Sequence, residues 1–167
     1  MTTTQMESME VLVPSTLVAE IEGLRAMPAD LGATIGGAFG TLYSAMGRAG
    51  LTPSGPPRVI YTGWGPDEVR FTVLAPIDRE PAAPLDAGVN TTTLPERVAL
   101  RFVHRGPYRD IKATYDQIES WLRERGGITT AADWAHYSPM WEEYVNDPAT
   151  TPEPELVTNI FFSLRTQ

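Results

Sequence analysis

The sequence predicts an α+β fold in which two strand–helix–strand–strand modules form an antiparallel sheet with both helices on one face. Three observations predict this fold. The same order of strand-like and helix-like segments occurs twice, the apolar faces of the two helices repeat at a constant offset, and a segment rich in Pro, Ala and Thr separates the copies. We expect a pseudo-twofold axis between the modules and a ligand cleft where they meet, since interfaces of this kind are common ligand sites.

The first module is predicted over about 11–77. It opens with a segment rich in β-branched residues at 11–23, continues with a helix over about 30–49, and ends with two strand-like segments at 59–64 and 69–77. The stretch over about 78–96 is predicted to be a linker because Pro, Ala and Thr dominate it.

The second module is predicted over about 98–164 and repeats the same order. Its first strand has a mostly apolar sequence, which indicates a central position in the sheet. The predicted segments are a strand at 97–106, a helix at 108–125 and strands at 140–145 and 156–164. Together the two modules predict a single domain over residues 1–167.

The two helices carry matching apolar faces. Apolar residues recur at steps of four, three and four in both, which is typical of an amphipathic helix. The two sets are Leu31, Ile35, Ala38 and Leu42, and Ile111, Tyr115, Ile118 and Leu122, so that each position is offset by 80 residues from its counterpart.

The first helix also contains Gly36, Gly37 and Gly40. Each glycine costs about 1 kcal/mol in a helix interior relative to alanine. Two interpretations stay open at this point: close packing of the helix on another backbone, or a low wall that leaves room for a ligand.

Composition excludes several classes of function. There are no cysteines and only two histidines, so neither disulfides nor thiol catalysis is available and we expect no metal and no cofactor. The net charge of −8 argues against direct nucleic-acid binding, because phosphate-binding proteins present basic surfaces. No run approaches the ~20 apolar residues of a membrane helix, and the first residues lack a signal-peptide pattern, so we expect no membrane contact and a cytoplasmic location.

Aromatic residues and paired acids indicate where function resides. Strand alternation directs Glu142 and Glu143 to opposite faces, so one is expected to face water and the other the interior or a cleft. Aromatic rings beside a desolvated carboxylate are suited to planar or lipophilic cations. The dense cluster is Trp134, Tyr137, Trp141 and Tyr144, and Tyr61 and Trp64 occupy the matching region of the first module.

Two motifs resemble the GyrI-like small-molecule-binding family, which also forms the effector-binding part of AraC-type and MerR-type multidrug regulators. The first motif is HRGPY at 104–108, and the second is WEEYVNDPATTPEPELVTNI at 141–160. The resemblance implies a duplicated strand–helix–strand–strand fold and a central pocket glutamate at Glu142. With the aromatic cluster, it predicts a ligand pocket lined by Tyr43, Tyr61, Trp64, Tyr115, Trp134, Tyr137, Trp141, Glu142 and Phe161. Within it, Glu142, Tyr61 and Tyr43 are expected to line one cavity, with Glu143 exposed.

The chain departs from the family pattern where members often carry a further acid in the last strand of each module. Those positions are Thr72 and Asn159, and Ser163 replaces a usual proline. A strongly dicationic ligand is therefore disfavoured. No helix-turn-helix precedes the predicted domain, which disfavours direct transcriptional regulation.

The resemblance implies three functions, of which we favour the first. The first is a stand-alone protein that captures hydrophobic, often cationic aromatic compounds and contributes to drug resistance. The second is a hydrolase of reactive cyclopropane-bearing genotoxins, with Glu142 as base and Tyr144 or Tyr61 as donor. The third is an inhibitor that binds a DNA topoisomerase, which keeps a protein partner open.

Overall fold

The computed structural model describes residues 6–164, and these fold into two compact units. The central unit is Pro14–Glu96. The terminal unit combines the described residues up to Val13 with those from Arg97 onward. The strands are β1 (Ser8–Val13), β2 (Thr16–Ala26), β3 (Arg58–Trp64), β4 (Val69–Pro76), β5 (Asn90–Leu94), β6 (Arg97–Arg105), β7 (Met140–Tyr144) and β8 (Val157–Ser163). The α-helices are α1 (Leu31–Arg48) and α2 (Ile111–Glu124).

Each unit contains four strands in an equivalent order. The terminal unit has the strand order β1-β6-β8-β7, and the central unit has β5-β2-β4-β3. The pairings within each unit are antiparallel. Helix α1 packs on β2 and β4, and α2 packs on β6. The predicted α+β class and the duplicated strand–helix–strand–strand order are therefore confirmed.

The edge strands differ from the sequence-based prediction. The segment predicted as one opening strand region at 11–23 is divided at Pro14, so that β1 ends before it and β2 begins at Thr16. Proline has no N–H to donate to a strand ladder, and it separates two strands that pair with different partners. Although β1 immediately precedes β2, it pairs with β6 of the terminal unit.

The predicted linker over about 78–96 contains the other edge strand. Strand β5 lies there and pairs with β2, so that Thr92 faces Val18 across the ladder. Three consecutive threonines explain the strand, because β-branched side chains favour extended backbone. Each edge strand thus precedes the first strand of one unit in sequence but completes the sheet of the other unit.

The helix offset of 80 residues is reproduced in detail. A short 3₁₀ turn precedes each helix, at Pro28–Asp30 before α1 and at Tyr108–Asp110 before α2. The predicted apolar face of α2 supplies Ile118 and Leu122 to the core of the terminal unit. The buried members of that core are Phe102, Ile118, Leu122, Ile128, Ile160 and Phe162.

The glycines of α1 are not sites of close packing. A Cβ atom added at Gly36, Gly37 or Gly40 would meet no heavy atom within 4 Å among the residues described. The interpretation of these glycines as a close helix–backbone contact is therefore wrong. All three positions lie on the exposed side of the helix.

Candidate functional site

Glu142 lies on the face of the terminal sheet that supports the apolar core. In β7 the side chains of Met140, Glu142 and Tyr144 point to the same face, because alternate residues of a strand do so. Glu142 pairs with Ile160, which pairs in turn with Phe102, and both of these belong to the core. The Glu142 side chain is only 5% exposed, so a carboxyl group lies within a largely apolar layer.

Two phenol groups hold the Glu142 carboxyl group. The Tyr115 hydroxyl, on α2, donates a hydrogen bond of 3.0 Å to Oε2. The Tyr144 hydroxyl, two residues along β7, donates a hydrogen bond of 3.1 Å to Oε1. Hydrogen bonds to an ionised acceptor are about twice as strong as neutral ones. The two tyrosines therefore compensate part of the cost of burying a charge at this position.

The HRGPY motif builds the turn that carries a third tyrosine. His104 Nε2 lies 3.0 Å from the Pro107 carbonyl oxygen, which only accepts, so we assign the proton to Nε2. Its Nδ1 then accepts from the Thr114 hydroxyl at 2.6 Å. Gly106 adopts φ +108°, a conformation that favours glycine, and its N–H donates to the Leu156 carbonyl. His104 is thus buried with both ring nitrogens bonded, as a structural residue.

Tyr108, the last residue of that motif, reaches the same site. Its ring packs edge-on against Tyr144, with 5.5 Å between the ring centroids. Burial raises the pKa of Tyr108, and the carboxylates of Asp147 and Glu142 raise it further, so this phenol stays neutral. The sequence-based prediction missed Tyr108 as a site residue. The motif that was used to identify the family ends on it and was the available signal.

Aromatic residues form a cluster around Phe162 on the Glu142 face. Phe162 pairs with Met140 across the ladder and therefore points to the same side of the sheet as Glu142. Its ring lies 5.8 Å from Trp134, 6.4 Å from Tyr137 and 6.5 Å from Tyr115. Three of the predicted pocket aromatics are thus brought together around Phe162, and one of them, Tyr115, bonds to the Glu142 carboxyl group.

A capped 3₁₀ helix places Trp134 and Tyr137 in this cluster. The Asp133 side chain accepts hydrogen bonds from the backbone N–H groups of Thr129 and Thr130 at 2.8 and 2.9 Å. These bonds lower the pKa of Asp133 to about 2 and fix the start of the helix Ala131–Tyr137. At its end, the Tyr137 hydroxyl donates to the Gly127 carbonyl at 3.0 Å.

Two predicted pocket aromatics lie on the opposite face of the sheet. Trp141 and Phe161 pair across β7 and β8 and stack with 4.8 Å between centroids and an interplanar angle of 8°. Glu143 shares that face and is half-buried rather than exposed, because it accepts a hydrogen bond of 3.1 Å from Asn159. Strand alternation therefore separates these residues from Glu142.

The remaining predicted residues belong to the central unit. Tyr43 lies on α1 with its ring 6.3 Å from Phe39. Tyr61 on β3 packs edge-on against Trp64 at 5.4 Å, and Trp64 is 68% exposed. The cavity that Tyr43 and Tyr61 were expected to share with Glu142 stays a prediction.

A cavity of about 320 Å³ lies in the central unit, between the end of α1 and residues 81–86. None of the predicted site residues lines it. The charges at its wall pair with each other, since Arg48 Nε and Nη2 donate to the two carboxylate oxygens of Asp86 at 2.9 Å each. It is therefore a weaker candidate for a ligand site than the Glu142 cluster.

Within residues 6–164, no helix has the length and apolar character required to cross a membrane. In the same residues, no group of three or more His, Asp or Glu side chains is arranged to hold a metal ion.

Comparison with known proteins agrees with the fold and motifs. The model of the GyrI-like small molecule binding domain matches residues 6–165. This chain belongs to the GyrI-like family. No curated protein matches this GyrI-like domain by sequence.

Solved structures share the fold of this GyrI-like domain at low sequence identity. The crystal structure of the EcmrR C-terminal domain is 16% identical, with a TM-score of 0.70 over 97% of this chain and 99% of that one. EcmrR in its complex with DNA is 15% identical, with a TM-score of 0.74. The match covers 96% of this chain but only 58% of the EcmrR chain.

Two further structural neighbours of this GyrI-like domain differ in what their descriptions state. SAV2435 bound to tetraphenylphosphonium is 14% identical, with a TM-score of 0.62 over 96% of this chain and 94% of that one. A hydrolase from Listeria innocua is 14% identical, with a TM-score of 0.60 over 93% of this chain and 90% of that one. At these identities the likeness concerns the fold alone.

Proposed function

We propose that this GyrI-like domain captures hydrophobic, singly charged aromatic cations at the Glu142 face of the terminal unit. The observation that carries the proposal is a buried carboxyl group, held by two phenol hydroxyls, beside a cluster of aromatic rings. Such a carboxylate has lost most of its hydration, and a lipophilic cation can restore the charge balance without bringing water with it.

The aromatic rings support the same class of ligand. The face of an aromatic ring attracts a cation, by about 0.5–2 kcal/mol depending on desolvation. Tyr115 and Tyr144 bond to Glu142, and Tyr108 packs against Tyr144. Trp134 and Tyr137 lie in the same unit and pack around Phe162, as Tyr115 does. A neighbour of the same fold binds tetraphenylphosphonium, which is a lipophilic aromatic cation. Capture of toxic compounds of this kind would contribute to drug resistance.

Calorimetric titration with tetraphenylphosphonium tests the proposal. Glu142→Gln keeps the shape of the side chain but removes its charge, and we expect the affinity to fall about ten- to a hundredfold. Triphenylphosphine oxide serves as the neutral aromatic ligand and should lose much less. Glu143→Gln is the matched control, because it removes the same charge from the opposite face of the sheet. Equal losses for the cation and the neutral ligand would leave an ordinary apolar pocket.

A hydrolase is the second candidate, and the hydrogen bond between Tyr144 and Glu142 favours it. In this reading Glu142 accepts a proton from an attacking water, and a pocket tyrosine donates one to the leaving carbon or oxygen. The substrates would be reactive cyclopropane-bearing compounds. Mass spectrometry after incubation distinguishes the two functions. A Glu142→Gln protein that still binds such a compound but no longer converts it would favour the hydrolase over the binder.

A further inference from the structure

The outer strands of the two units differ in what they expose. Neither β1 nor β5 pairs with a second strand among residues 6–164. Strand β5 has the sequence NTTTL, and its exposed side chains are polar. In β1, Met9 is 56% exposed and Leu12 is 61% exposed, and Glu10 is the one charged residue. Natural sheets usually protect an open edge with charged or polar side chains, because an apolar edge pairs with other chains. The edge formed by β1 lacks most of this protection.

The backbone of β1 presents hydrogen-bonding groups at this edge. The Val103 N–H donates to the Glu7 carbonyl oxygen at 3.3 Å, which directs the backbone groups of the odd-numbered residues of β1 toward β6. The direction of these groups alternates along a strand. The N–H and C=O groups of Ser8, Glu10 and Leu12 therefore point away from β6, where another strand can pair with them.

The charges around β1 favour a second copy of this chain as the partner. The whole chain carries a net charge of −8, so two copies repel each other over most of their surfaces. Strands β1 and β6 together contain one acid, Glu10, and the three arginines Arg97, Arg101 and Arg105. Glu7, which precedes β1, forms an ion pair of 3.1 Å with Arg105. Two copies that meet along β1 therefore avoid the acidic surfaces.

The sequence of β1 is self-complementary in one antiparallel register. Two registers let the outward backbone groups pair over five residues of each copy, with either Glu10 or Val11 on the twofold axis. The first places the two Glu10 carboxylates directly opposite each other, which is destabilising. The second places Glu10 opposite Leu12 of the other copy and Met9 opposite Val13. The side chains of Met9, Val11 and Val13 then form an apolar row on one face, because alternate residues share a face.

We infer that β1 is a dimerisation surface, on which a second copy of this chain adds its own β1 in antiparallel orientation with Val11 on the twofold axis. Main-chain hydrogen bonds supply the affinity in such strand addition, and the same patch of both copies forms the interface. A contact of one short strand is small, so the dissociation constant is expected to be on the order of 100 µM. The inference does not depend on the Glu142 site.

Sedimentation of the wild-type chain between about 10 µM and 1 mM tests the dimer. The mass should rise from the 18.3 kDa of one chain toward twice that value. Leu12→Glu should weaken the dimer about tenfold, because it replaces an apolar side chain opposite Glu10 with a like charge. Leu12→Lys should retain the dimer better, since lysine faces Glu10 with the opposite charge. Thr93→Glu adds the same acid to the β5 edge and is the matched control, which should dimerise like wild type.

Cross-linking tests the register separately. The chain has no cysteine, so a single introduced thiol is unique. In Val11→Cys the two Cα atoms should lie about 4.5 Å apart, which suits a disulfide, so mild oxidation should give a covalent dimer. In Met9→Cys the two thiols lie four residues out of register, or about 13 Å along the strand, and should not cross-link. Non-reducing electrophoresis compares the two variants, and thermal melting confirms that each variant is folded.

Three results would overturn the inference. A wild-type chain that keeps the mass of one copy up to about 1 mM does not use β1 in this way. A Leu12→Glu protein that dimerises as strongly as wild type would place the dimer contact elsewhere on the molecule. Cross-linking of Met9→Cys in place of Val11→Cys would contradict the register with Val11 on the axis.

Discussion

The terminal and central units share one architecture but differ at the position of the buried carboxylate. Leu24 precedes α1 by the same seven residues by which His104 precedes α2. In the central unit Leu24 pairs with Phe71, and Phe71 pairs on its other side with Tyr61. In the terminal unit His104 pairs with Thr158, and Thr158 pairs on its other side with Tyr144.

This alignment makes Tyr61 the counterpart of Tyr144. The residue two positions earlier is Val59 in the central unit and Glu142 in the terminal unit. By the helix offset of 80 residues, Ile35 corresponds to Tyr115. Val59 is fully buried, as is its partner Val73. The central unit thus has an apolar core where the terminal unit has a carboxyl group and a phenol that bonds it.

The difference teaches that the duplicated scaffold and the site are separable. Both copies need the alternation and helix faces that build a core, while two or three side chains determine whether that core contains a charge. Functional sites commonly depart from the rules that favour stability, and the central unit keeps those rules at the position that corresponds to Glu142. The predictions below test this contrast between the two units.

The largest effect is expected from moving the carboxylate into the central unit. Val59→Glu places a carboxyl group beside Val73 and Phe71. No phenol would bond it from the helix, because Ile35 stands where the terminal unit has Tyr115. We expect a loss of more than about 3 kcal/mol in the free energy of unfolding at neutral pH, measured by urea denaturation. Val59→Ala is the control for the altered volume. A Val59→Glu protein as stable as wild type would show that the central unit accommodates the charge equally well.

A smaller effect is expected at Glu20, a buried carboxyl group of the central unit. Its neighbour is another carboxyl group, that of Glu22, whereas Glu142 is bonded by two tyrosines. Burial raises the pKa of Glu20, and the nearby carboxyl group of Glu22, which also forms a hydrogen bond with it, adds to the shift. Together these effects raise the pKa of Glu20 from 4.5 to about 7. The folded state therefore binds this proton more tightly than the unfolded state. The stability that protonated Glu20 contributes is fully present below pH 4.5 and is lost as the pH rises through 7.

Glu20→Gln tests this pH dependence. The variant should gain about 1–3 kcal/mol relative to wild type above pH 7 and nothing below the unfolded pKa. Denaturant unfolding at a series of pH values gives the difference. Glu22→Gln is the matched control, because removing the second carboxylate should flatten the same pH dependence in part. A constant difference across the pH range contradicts the assignment to Glu20.

The smallest effect is expected in α1, whose glycines distinguish it from α2. Gly36→Ala adds a methyl group that meets no atom within 4 Å among the described residues. It should raise the free energy of unfolding by about 0.5–1 kcal/mol, because alanine favours helical backbone. The melting temperature measures the gain, and Gly40→Ala should behave alike. A loss of stability at both positions would mean that these glycines contact something, contrary to their open surroundings.

Much of the fold could be predicted from local patterns in the sequence. The steps of four, three and four residues located both helices, because a helix repeats its faces within the span of one turn. In β7 the alternation predicted that Glu142 and Glu143 lie on opposite faces, because successive residues of a strand point to opposite sides. The HRGPY motif marked the turn before α2, where Gly106 needs its positive φ and Pro107 begins the 3₁₀ turn.

Other features were decided only by the tertiary structure. The partners of β1 and β5 could not be predicted, because strand pairing joins residues far apart in sequence and Pro14 divides what looked like one strand. The contact of Tyr115 with Glu142 depends on how α2 lies over β7, which no local period determines. The face of Phe161 followed from its register with Trp141, and that register puts both rings on the face opposite Glu142. The sequence by itself thus determined the elements and their faces, since those follow from short-range periodicity, whereas packing between distant segments determined which side chains meet.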